Sequence, residues 1–101
     1  MKKATYSLAR VRELIAARRY RIRRSASMGA AELGLDETDI LQCVALLDAN
    51  TFYKSMESEQ CPGLWQDVYR PFFQGFQLYV KIQLVEVEPN DMLAVISFKR
   101  R

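Results

Sequence analysis

Between Gly75 and Val85 the chain alternates strictly. Gln77, Tyr79, Lys81 and Gln83 stand at odd positions, and Phe76, Leu78, Val80, Ile82 and Leu84 at even ones. The odd set is a phenol, an ammonium and two amides, groups suited to a phosphodiester. Lysine supplies positive charge or, with its pKa depressed, a base; tyrosine can donate a proton; glutamine can orient a hydroxyl. A single-stranded nucleic acid would be held by its phosphate charge and by bases stacking on aromatic side chains. RNA also brings its own nucleophile, the 2′-hydroxyl. A protein acting on it has to align that hydroxyl, move two protons and stabilise charge on the phosphorane. None of these steps requires histidine or a metal. The same residue types also make ordinary solvated sheet surface, so the chemistry alone leaves both readings open.

The elements that must present this row can be read outward from it. A period of two over ten residues, rich in aromatic and β-branched side chains, predicts a strand with its even face sealed into a core. Met92 to Lys99 is expected to return as the last strand after a turn at Pro89-Asn90-Asp91. Residues opposite one another in an antiparallel pair share a face. If Ala94, Ile96 and Phe98 meet the even face, the connecting loop must be odd, of three or five residues. Pairings adding to 178 then set Lys99 opposite Tyr79, and pairings adding to 180 set it opposite Lys81. Two more strands are expected upstream, Phe52 to Glu57 and Leu64 to Arg70, the latter stopped by Pro71. Trp65 and Tyr69 share one side of their strand and read as core packing.

The first half of the chain is helical. Ser7 caps a helix whose Leu8, Val11, Leu14 and Ile15 form one apolar stripe and which fades around Ala17 to Arg19. Arg19, Arg21 and Arg23 alternate with Tyr20 and Ile22, a short strand with three guanidiniums on one side. Ser25 is expected to cap a second helix ending at Gly34, a left-handed stop. Asp36, with Asp39 three residues on, starts a third, carrying Ile40, Val44 and Leu47, with Cys43 as a small core-facing thiol. Helices grouped before strands imply an α+β domain, an antiparallel β-sheet with helices packed on one face, in the order α-β-α-α-β-β-β-β. The expectation is a single domain over residues 1–101, helical over about 5–50 and sheet over about 51–101. The uncovered face would carry Tyr79, Lys81 and Lys99.

Bulk properties narrow the choices. Half of the 101 residues are hydrophobic and 27% are charged, as in an ordinary globular domain. The net charge of +3 suggests a polyanionic partner only weakly; its placing says more, because five of the fifteen basic residues fall within Arg18–Arg24. There is no histidine, and Cys43 and Cys61 form no C-x-x-C, so neither a metal site nor a cofactor is expected. Met1-Lys2-Lys3 is not followed by an apolar signal segment, and no run reaches membrane-spanning length, which predicts a cytoplasmic protein without a membrane partner.

Four segments then go beyond physical pattern: Phe52-Tyr53-Lys54-Ser55-Met56, Trp65-Gln66-Asp67-Val68-Tyr69-Arg70-Pro71, Tyr79-Val80-Lys81-Ile82 and Val95-Ile96-Ser97-Phe98-Lys99. With Arg24-Ser25-Ala26 and Glu32-Leu33-Gly34-Leu35-Asp36, they make the chain resemble the MqsR family, the motility quorum-sensing regulator toxins of bacterial toxin–antitoxin pairs. That resemblance implies a RelE-like fold and a ribosome-independent, metal-independent endoribonuclease cutting mRNA at short sites of the GCU kind. It implies a cognate antitoxin with a zinc-binding part and a helix-turn-helix part. It also implies that activity rests on Lys54, Gln66 and Tyr79, with Tyr53, Met56 and Lys99 in support. Arg70, Lys81 and Lys99 are expected on their charge to hold flanking phosphates. Two competing readings are a catalytically inactive relative that binds RNA or antitoxin, and an interaction protein whose arginine cluster docks DNA or an acidic partner. The segment Val85 to Val95 is longer than the family's usual last turn, leaving open the register that delivers Lys99. Phe72-Phe73-Gln74 is unusually apolar, and could contact an antitoxin or plug the core.

Overall fold

The structure is a computed structural model that describes residues 3–87 and 90–101. In chain order the elements are α1 (Leu8–Ala16), β1 (Tyr20–Ile22), α2 (Arg24–Ala31), α3 (Glu37–Ala45), a 3-10 turn at Ala49–Thr51, β2 (Phe52–Glu57), β3 (Trp65–Tyr69), β4 (Phe72–Phe73), β5 (Phe76–Val87) and β6 (Asn90–Arg100). The sheet runs β1-β6-β5-β3-β2, with β4 paired on β5 at one end; every pairing is antiparallel except β1 with β6. This is the expected α+β arrangement, with the two-residue β4 added.

Local chemistry fixes the helix starts. The Ser7 side chain accepts from the Arg10 N–H, and Asp36 and Asp39 cap each other's backbone at 3.0 Å in both directions. Gly34 adopts φ +76°, the left-handed stop after α2. Ser25, however, is not a cap. The helix begins at Arg24, two residues earlier than a Ser25 cap would start it, behind an Arg23 with no capping side chain, and Ser25 Oγ donates instead to the Ile96 carbonyl at 2.9 Å.

That substitution of roles shows how α2 lies. It runs along the edge of β6 where the three-residue β1 stops. Arg23 N–H donates to the Val95 carbonyl at 2.9 Å, and at Gly29 an added Cβ would sit 2.0 Å from the Phe98 oxygen. A glycine is required there by the close approach of helix to strand. The edge that would otherwise be open to another chain is thereby covered.

The even residues of β5 do form the core: Leu78, Val80 and Ile82 are fully buried against Val11, Leu14, Ile40, Val44, Val95 and Phe98. Cys43 is buried among them, and burial pushes its thiol up to about 12. Tyr69 is buried as expected, but Trp65 is not core: at the end of β3 it stays 37% exposed. Behind β3, Asp67 is sealed from solvent and accepts the N–H groups of Thr5 and Tyr6 at 3.0 and 2.8 Å. Thr5 and Ser55 hydroxyls meet at 2.6 Å, so the residues before α1 are clipped across β2 and β3.

The β5–β6 register corrects one expectation and keeps another. From Tyr79–Lys99 to Lys81–Ser97 the paired numbers add to 178, as one of the two allowed registers required. From Ile82–Val95 onward they add to 177, because Ile96 is an extra, unpaired residue. This bulge reverses the parity of everything before it. Leu93 and Val95 therefore occupy the core face, while Ala94 stands opposite Gln83 and Ile96 leaves the core. It also replaces the expected odd loop: Val87 pairs with Asn90, so two residues lie between the strands. Pro89 of the expected turn lies outside the described residues, and Asn90 and Asp91 belong to β6.

Candidate nucleic-acid interface

The odd residues of β5 face away from the core, and the pairings say which side chains join them. Lys54 of β2 is opposite Val68, Val68 is opposite Lys81, and Lys81 is opposite Ser97. Met56 is opposite Gln66, which lies on the same face of β3 as Val68. Tyr79 is opposite Lys99. Lys54, Gln66 and Tyr79, from three different strands, therefore share one face of the sheet.

Two bulges shape that face. In β2 the register shifts between Phe52 and Lys54, leaving Tyr53 as an extra residue. Tyr53 is half exposed, the Lys54 Nζ lies 5.5 Å from its ring centre, and the Arg70 guanidinium lies 4.5 Å from it. Consecutive residues Tyr53 and Lys54 thus gather with Arg70, where a regular strand would have sent the tyrosine to the opposite side. In β6 the Ile96 bulge does the same for Ile96 and Ser97, which line one cleft together. Both bulges flank the β5 row, and bulges of this kind re-aim side chains beside functional sites.

Cations surround the Tyr79 ring. Lys99 Nζ is 5.1 Å and Lys81 Nζ 5.9 Å from its centre, within cation–π range. Burial raises the Tyr79 phenol above its usual pKa, and the neighbouring Tyr53 adds to the rise. The phenol is therefore held in its proton-bearing form. Lys81 moves the other way: burial, then the charges of Lys99 and Lys54, lower it, against an opposing pull from Glu59. The charges of Lys99 and Lys54, close enough to disfavour the Lys81 ammonium, make with it a region of positive potential that an anion would relieve.

Beyond Lys81, away from Tyr79, the face falls into a cleft of about 330 Å³. Gln66 and Gln83 lie in it, both buried, with Gln66 Nε2 donating to Gln83 Oε1 at 3.0 Å. Arg23 lines the same cleft from the end of β1. Among the described residues, no three His, Cys, Asp or Glu side chains converge as a metal site would require, and no helix is long and apolar enough to cross a membrane.

The family profile described as "Motility quorum-sensing regulator, toxin of MqsA" matches residues 3–100. The chain belongs to this family of toxins. It is also 38% identical over 94 residues, 93% of its own length and 91% of the relative's, to the mRNA interferase toxin MqsR of Escherichia coli K12.

Of the residues singled out from the sequence, Lys54, Met56, Gln66, Tyr79, Lys81 and Lys99 share the open face, and Tyr53 and Arg70 border it. Sequence reasoning missed the Gln66–Gln83 pair and the part taken by Arg23. The first had a visible half, since Gln83 belongs to the odd row; its partner depended on the β3–β5 register. The second was visible only as alternation in the arginine run.

Proposed function

We propose that this chain is the toxin of a toxin–antitoxin pair and acts as an mRNA interferase. It is a ribosome-independent, metal-independent endoribonuclease that cuts at short GC-containing sites such as GCU and so arrests growth. What supports the reading is that a lysine, a glutamine and a proton-bearing tyrosine, from β2, β3 and β5, lie on one open sheet face with Lys81 and Lys99. The similarity to a relative named as an mRNA interferase supports the substrate class. The partner is a cognate antitoxin of the zinc-binding, helix-turn-helix kind.

The reaction is transesterification. The ribose 2′-oxygen gives its proton to a solvent water and attacks phosphorus, the P–O5′ bond breaks, and the departing 5′-oxygen takes a proton from Tyr79 or from solvent. The products are a 2′,3′-cyclic phosphate and a 5′-hydroxyl. Gln66 positions the 2′-hydroxyl or the base beside it. Lys54 stabilises the charge that builds on the phosphorane oxygens. Tyr79, kept neutral, donates its proton to the phosphate or to the leaving oxygen. Lys81, Lys99 and Arg70 hold the flanking phosphates, while Tyr53 and Met56 offer surfaces to the bases.

The test is to incubate the purified chain with a defined RNA in EDTA and map the new 5′ ends. Discrete cuts that vanish in Tyr79→Phe and Lys54→Ala are expected. Binding without cutting by the native chain would instead make it an inactive relative that engages RNA or antitoxin.

A further inference from the structure

We propose that the cleft beside Lys81 is a nucleobase subsite, in which the paired amides of Gln66 and Gln83 read the edge of one unpaired RNA base. The proposal rests on the ribonuclease reading above and extends it to what sets the cutting sequence.

A glutamine side chain carries one carbonyl oxygen and one NH2 group, and a single bond between two amides engages one NH2 and one oxygen. Gln66 Nε2 donates to Gln83 Oε1, leaving the Gln66 oxygen and the Gln83 nitrogen. Neither has another hydrogen-bond partner among the described residues. Among the described residues no side-chain nitrogen or oxygen is sealed from solvent without a hydrogen bond. Those two atoms are therefore open to the cleft that both residues line. Turning both amides over exchanges the roles and still leaves one oxygen and one NH2 group. The pair thus leaves one acceptor and one donor group at the cleft, the two kinds of group with which a base edge can pair.

The surroundings suit a flat, unpaired ring. Met56, Leu64 and Ile96 supply apolar surface in the cleft, and Ile96 reaches it only through the β6 bulge. Arg23 and Lys81 supply charge for the phosphates on either side. Gln83 lies four residues along β5 from Tyr79, about 13 Å at the usual strand rise. A base seated on the amides is therefore close to the reacting phosphate without touching it. Rigid amides with few solvent contacts are well placed to discriminate, since a base that left them unpaired would strand buried polar groups.

The experiment compares cleavage-site profiles on a randomised RNA pool for the native chain, Gln83→Glu and Gln83→Leu. Gln83→Glu can still accept from Gln66 but loses its donor, and should change the preference at one nucleotide position about tenfold or more. Gln83→Leu should flatten that same position, and both variants should keep the preferences elsewhere. Profiles of folded variants that match the native one at every position overturn the proposal. A second arm does not depend on cutting: ribonucleoside 5′-monophosphates are titrated into the 15N-labelled native chain. Shifts of the Gln66 and Gln83 side-chain amide signals that depend on the base support the subsite even if no RNA is cut, in which case the ribonuclease reading alone fails. No shift of either signal with any of the four overturns it.

Discussion

Lys99 stands directly opposite Tyr79 across the β5–β6 pair, with its Nζ 5.1 Å from the centre of the tyrosine ring. The contact joins the penultimate stretch of β6 to the middle of the alternating β5 row. It exists because the β6 bulge lies at Ile96, before Lys99, and leaves the 178 register intact from Ser97 onward.

Removing that ammonium should act through charge. Lys99→Met is expected to lower RNA cleavage about ten- to hundredfold, the value of a charge-assisted phosphate contact. It should also reduce the salt dependence of RNA affinity by roughly 0.7 in the log–log slope, one phosphate contact on a single strand. Filter binding over a salt series checks the second figure independently of catalysis.

The same substitution should change Lys81. Its ammonium is disfavoured by burial and then by the charge of Lys99, so Lys99→Met is expected to raise the Lys81 pKa toward that of a free lysine. A side-chain NMR titration reads this directly. An unmoved Lys81 would mean the two ammonium groups do not share a field.

Gly29 tests the way α2 covers the sheet edge. A Cβ there would lie 2.0 Å from the Phe98 oxygen and 3.3 Å from the Lys99 Cβ. Gly29→Ala must push helix and strand apart and is expected to cost about 1–3 kcal/mol, the usual penalty of overpacking. Urea denaturation gives the figure; an unchanged midpoint would contradict the close approach.

The buried Asp67 carboxylate makes a separate prediction about the segment before α1. Asp67→Asn has one acceptor oxygen where two backbone N–H groups now find one each, and should cost about 1.5–3 kcal/mol. Amide exchange at Thr5 and Tyr6 should quicken with it.

Alkaline stability should follow Tyr69. Burial, then the Asp67 charge, push its phenol up to about 12, from an unfolded value of 10.0. A folded pKa above the unfolded one gives a contribution that is complete below pH 10 and lost as pH climbs toward 12. Tyr69→Phe should remove that pH-dependent loss, whatever its cost at neutral pH, as denaturation midpoints across this range would show.

Much of this was readable from residue order, for identifiable reasons. The β5 alternation, the Ser7 cap and the Asp36–Asp39 box are local patterns, and each appears where its residues predict. Ala94 and Ile96 were misplaced because a bulge is a single extra residue with no glycine or proline to announce it. Ser25 looked like a cap because its hydroxyl could serve one, but the carbonyl of Ile96, seventy-one residues away, takes the bond instead. Trp65 followed the parity of Tyr69 but lies at the strand end, where the core no longer reaches. The Gln66–Gln83 pair depended on register between strands, which the order of residues does not state.

The central claim is that this open sheet face turns a ribose hydroxyl against its own phosphodiester. It is tested most directly with an RNA carrying a single 2′-deoxy nucleotide immediately 5′ to the mapped cut. The account predicts that the cut at that position disappears while neighbouring sites are still cleaved, and that native products end in 2′,3′-cyclic phosphates. Continued cutting at the 2′-deoxy position would contradict it.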